Sequence, residues 1–154
     1  LKTLVVLLAI ASFATAWTNT PTMIMARIAE VDLKANDPKA YTKVMEMLEP
    51  LNELTQAGQY PFIDAAVYVK EASKAGFSLT NLWSYQWSFY FDGVPTKKVE
   101  QHNDFDITTQ IGLSQTAIDW TSSSRIDKTF GKSFSLRYVF NLLTDLHQPY
   151  HNIV

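Results

Sequence analysis

Cysteine is missing from this chain, so no disulfide closes a loop and packing alone must hold the fold. An excess of basic residues is missing too. Thirteen Lys and Arg stand against fifteen Asp and Glu, a net charge of −2. No global positive field therefore gathers phosphate backbones, and any nucleic acid must be held by a local site. Five glycines and six prolines are too few for a low-complexity or collagen-like chain. Internal repeats and linker-like stretches are absent. The longest apolar run, Leu4 to Phe13, is too short to span a bilayer.

What is present suits one folded domain. The 154 residues are enough for a hydrophobic core, and 13% aromatics argue against disorder. Lys2, the apolar run after it and the small residues Ala14-Thr15-Ala16 have the order of a secretory leader and its cleavage site. Residues 1–16 are therefore expected to be a signal peptide, and the alternative is a buried N-terminal helix. The mature chain is expected to start at Trp17 and to be secreted or lumenal, a lysosome-like compartment included. It needs no membrane contact after cleavage. Because the first residue is Leu1 rather than Met, a clipped N-terminus is also expected.

The apolar spacing is helical nearly throughout, which predicts an all-α domain spanning 17–154. Ile24, Ile28 and Val31 recur at helical intervals, with Arg27, Glu30 and Lys34 off that stripe. Asp37-Pro38 is a helix start, a capping carboxylate before a proline in the first turn. Tyr41, Val44, Leu48 and Leu51 form the next stripe, which Pro50 kinks or ends. Gly58 and Pro61 punctuate the chain before the apolar segment Phe62 to Val69. Ile107, Ile111, Ser114 and Ile118 mark another helix, and Phe134 to Leu146 a last one, stopped by Pro149. Trp83, Tyr85, Trp87, Phe89 and Phe91 alternate with other residues, which predicts an extended segment. That segment is either half-buried on the core or a stacking platform for bases.

Side chains able to bind metal are dense only at the end of the chain: Asn141, Asp145, His147 and His151. Asn141 and Asp145 lie four apart on one helix face, and His151 can fold back past the proline. A carboxylate with imidazoles suits zinc, although the same residues also cap helix ends. His102, the remaining histidine, sits in a polar loop.

The run Ser-Leu-Arg-Tyr-Val-Phe-Asn-Leu-Leu-Thr-Asp-Leu-His-Gln-Pro-Tyr-His, residues 135 to 151, resembles the signature helix of the zinc-dependent single-strand nucleases of the S-one/P-one family. Trp17 falls where that family's mature chains begin. Met23, Ala26, Ile28 and Ala29 fit its first helix, and Ala65-Ala66 and Trp87-x-Phe89 fit two intermediate motifs. The resemblance implies an all-α fold of the phospholipase C/zinc nuclease type, incomplete at the C-terminus. It implies a cleft with three zinc ions that hydrolyses single-stranded DNA and RNA, 3′-nucleotides included, by activating water and clamping phosphate. Carried over position by position, Trp17, Asp145 and His151 match metal ligands.

Elsewhere the ligands are replaced. Thr22 and Asn141 stand where the family has histidines. Tyr68-Val69-Lys70 aligns with its Trp-Ala-Asp, and Trp87-Ser88-Phe89 with its Trp-His-Phe. Fewer zinc ions than three, or none, are expected. Lys70 either turns away or fills a metal position as a surrogate charge, and a slip of one residue would offer Glu71 in its place. Two functional readings follow: a nuclease of this family, and a catalytically inactive secreted relative that binds nucleotides or single-stranded nucleic acid.

Overall fold

The computed structural model describes residues 19–52, 59–78, 80–85, 90–91, 94–95, 105–119, 129–148 and 151. The expected signal peptide, residues 1–16, and Trp17, Trp87, Phe89, His102 and Pro149 lie outside the described residues. Among the described residues, five α-helices carry the fold: α1 (Asn19–Asn36), α2 (Pro38–Leu48), α3 (Pro61–Lys74), α4 (Ile107–Asp119) and α5 (Thr129–Leu146). An antiparallel ladder joins β1 (Tyr90–Phe91) to β2 (Val94–Pro95). The domain is all-α in character.

Local chemistry sets several of these boundaries. The Asp37 carboxylate accepts the Ala40 N–H at 2.9 Å, and Pro38 pre-sets the first turn of α2. Pro50 stops α2, and the chain tightens into a 3-10 turn over Glu49–Leu51. Asp106 stands before α4 and accepts the Thr109 N–H at 2.7 Å. The expected extended segment begins later than its alternation suggested. Trp83 belongs to a 3-10 turn, Asn81–Ser84, while Tyr85 after it is extended and Phe91 lies in β1. The reason is packing: the Trp83 ring lies 5.3 Å from the Tyr138 ring, and Thr80 is hydrogen-bonded to the Tyr138 hydroxyl.

Helix α5 is the hub and packs against each of the other four helices. Val69, Ile107, Tyr138 and Leu142 form one core cluster where α3, α4 and α5 meet. Ala26, Phe62 and Ala66 form another between α1 and α3, and Leu48, Ala65 and Leu136 a third towards α2. Packing against four helices explains why α5 is so rich in apolar residues.

Through that apolar hub runs a polar seam. Ser133, Arg137, Asn141 and Asp145 are spaced by four, and each is almost wholly buried. Each step of four advances about 40° around a helix, so the seam turns by about 120° from end to end. Its first half faces the end of α2, and its second half meets α1 and α3.

The face that α1 buries differs from the sequence expectation. Ile24, Ile28 and Val31 are exposed, and Thr22, Ala26 and Glu30 are buried instead. The two stripes differ by one or two residues, about 100–200° of rotation. Polar partners account for the choice: Thr22 accepts from Lys70, while Glu30 receives Arg27 and Lys34 at 2.6 and 3.0 Å.

Candidate functional site

The second half of the seam forms the floor of a pocket of about 270 Å³. Asn141 and Asp145 line it from α5, and Val69, Lys70 and Ser73 from α3. Asn81, Ser84, Tyr85 and His151 complete it. α1 joins this wall through Thr22, which accepts from Lys70.

The contacts are specific. Asn141 Nδ2 donates to Asp145 Oδ2 at 2.7 Å. The Lys70 ammonium sits 3.4 Å from Asp145 Oδ1 and donates to Thr22 Oγ1 at 2.8 Å. Asp145 is 2% exposed at its side chain and Lys70 19%, so this ion pair is screened far less than a surface pair. Of the two possibilities for Lys70, turning away is not what happens. Glu71 instead points outward, hydrogen-bonded to Lys74 and Asn19.

His151 closes the site through its backbone-directed nitrogen. Its Nδ1 lies against the Ser84 carbonyl, which only accepts, so Nδ1 carries a proton. The ring stacks on Tyr85 at 4.6 Å with 5° between planes. His147 has a different role. It is exposed, donates to the Leu143 carbonyl at 2.7 Å and borders a separate apolar pocket with Phe62 and Phe140.

Four of the positions singled out by the nuclease resemblance therefore meet through direct contacts: Thr22, Lys70, Asn141 and Asp145. His151 lines the same pocket, and Trp17 lies outside the described residues. The first half of the seam was missed. Arg137 is fully buried and donates to the Leu48 carbonyl at 3.0 Å, to Asn52 at 3.0 Å and to Ser133 Oγ at 2.6 Å. Its guanidinium also lies over the Tyr68 ring. This is a cation on the C-terminal end of α2, where helix carbonyls lack partners. Burial lowers its pKa to about 10. The i+4 row running back from Asn141 was the available signal.

The described donors do not fit a three-zinc centre. No three His, Asp or Glu side chains gather at one point among the described residues. Thr22 and Asn141 offer neutral oxygens and an amide, which hold zinc poorly. A dication about 4 Å from the Lys70 ammonium would meet roughly 8 kcal/mol of repulsion at an effective dielectric near 20.

Comparisons with family models, with curated proteins and with solved structures gave no match for this chain. The resemblance to the zinc nucleases therefore stands on the sequence motif alone.

Proposed function

We propose that the protein is a secreted or lumenal relative of the S-one/P-one nucleases that binds a nucleotide, or the end of a single strand, without cutting it. The observation that carries this reading is the Lys70 ammonium held between Thr22 and Asp145 on the pocket wall. It puts a fixed positive group where hydrolysis would call for a metal. Ser73 donates to Asn81 Oδ1, which leaves the Asn81 amide hydrogens to donate to phosphate oxygens. Tyr85 supplies an aromatic surface at the same pocket. A volume of about 270 Å³ suits one nucleoside phosphate rather than a duplex. With the Lys70 charge balanced by Asp145, binding is modest and falls with salt.

A second reading, a zinc-dependent endonuclease acting on single-stranded DNA, RNA or 3′-nucleotides, draws on Asp145 and His151 lining one pocket. Titration calorimetry with nucleoside monophosphates and hydrolysis assays on single-stranded DNA and RNA, each with and without chelator, separate the two. Saturable binding that ignores chelator, with no turnover, is the expected result. Turnover abolished by chelator would establish the second reading, and absence of nucleotide binding would remove the first.

A further inference from the structure

We propose that Lys70 is the resident cation of an oxygen-lined cation site, its ammonium taking the place of an exchangeable ion. The site draws oxygens from two helices and its cation from a third. Thr22 Oγ1 of α1 lies 2.8 Å from the ammonium and Asp145 Oδ1 of α5 lies 3.4 Å from it. Asn141 Oδ1 and Asp145 Oδ1 are buried oxygens with no hydrogen-bond partner among the described residues. Buried acceptors without donors are costly, and a nearby positive charge is what offsets that cost. The donor chemistry that rejects zinc here is thus the chemistry of a site already filled. The ammonium bridges α1, α3 and α5 through Thr22 and Asp145.

A cation site can be emptied and refilled. Truncating the lysine stem to alanine leaves a channel with the length of a propylammonium ion and an unbalanced carboxylate at its end. The ligand class of the emptied site is a small primary alkylammonium. Although this concerns the pocket of the proposed function, its readout is stability without nucleotide, so the two fail separately.

The test is thermal melting of the full chain carrying Lys70→Ala. Breaking a largely buried pair should lower the melting temperature by roughly 5–10 °C. Propylammonium chloride should then restore several degrees with saturable dependence, as expected for a ligand bound only by the folded state. Tetramethylammonium or sodium chloride at equal ionic strength should not. Equal effects of all three salts would overturn the proposal. Should Lys70→Ala fail to fold, the cycle of Lys70→Met, Asp145→Asn and the double variant decides. The double variant should melt close to the more stable single variant, and strictly additive losses would overturn the proposal.

Discussion

The two halves of the α5 seam treat a buried cation in opposite ways. Arg137, in the first half, has no carboxylate among its contacts with the described residues. Carbonyl, amide and hydroxyl oxygens surround it, with the Tyr68 ring on one side. Lys70, against the second half, meets the full charge of Asp145. The first arrangement is closed, and no part of Arg137 reaches water. The second borders an open pocket. One helix row thus does two jobs. Where it meets the end of α2 it holds elements together, and where it has turned towards α1 and α3 it forms a site. The lesson is that a buried charge does not itself mark a functional pocket. Access and the kind of partner separate the two cases.

Substitutions can break or sharpen this contrast. The largest effect should come from Arg137→Met, which removes the donor to Ser133 Oγ and Asn52 Oδ1 and leaves the Leu48 carbonyl with Ser133 Oγ alone. A loss of about 3 kcal/mol in urea denaturation is expected, with nucleotide affinity nearly unchanged in the molecules that remain folded. An equal loss of affinity and stability would mean that the two halves act as one unit.

Glu30 sharpens the comparison from the anionic side. Burial works against its carboxylate, but hydrogen bonds from Lys34 and Arg27 outweigh burial and hold its pKa below the ordinary 4.5. A carboxylate with a depressed folded-state pKa stabilises above its unfolded value, and that contribution disappears as pH falls through the folded one. Wild-type stability should therefore drop as pH falls below about 4.5. Glu30→Gln should cost about 1 kcal/mol at neutral pH and flatten part of that acid slope. An unchanged slope would show that these contacts do not persist in solution.

The smallest effect is expected at Asp106, which caps α4 away from both halves. Asp106→Ala should cost about 1 kcal/mol and leave the pocket's ligand affinity alone. A change in affinity here would mean that α4 reaches the pocket through Tyr85, whose carbonyl accepts the Ile107 N–H at 3.0 Å.

Much of the fold was legible because local rules and tertiary packing agree. Asp37-Pro38 starts a helix, Pro50 ends one, and Leu48 and Ile107 are buried where their spacing put them. The candidate site was legible in a different way. Its residues stood out through a motif, and only some of its chemistry followed from spacing. Asn141 and Asp145 could be placed on one face, but the partner of Asp145 could not be read. Lys70 lies 75 positions away in the chain, and nothing local aims its side chain at α5. Arg137 escaped notice because a cation inside an apolar run looks like a solvated interruption until Leu48 and Asn52 are brought against it.

The exposed stripe of α1 makes the same point. Periodicity finds that a helix is two-sided, yet the side that faces inward depends on what waits there. A threonine and a glutamate were buried in preference to three aliphatic residues because an ammonium and paired charges met them.

By itself, then, the sequence determined the helices, their ends and the polar row on α5, since backbone propensity, capping and i+4 geometry act within a few residues. Only the tertiary structure decided which cation meets Asp145, which face α1 turns inward, and which half of the row opens to a pocket. Those outcomes depend on desolvation and charge pairing between segments far apart in the chain, and such energies exist only once the helices have packed.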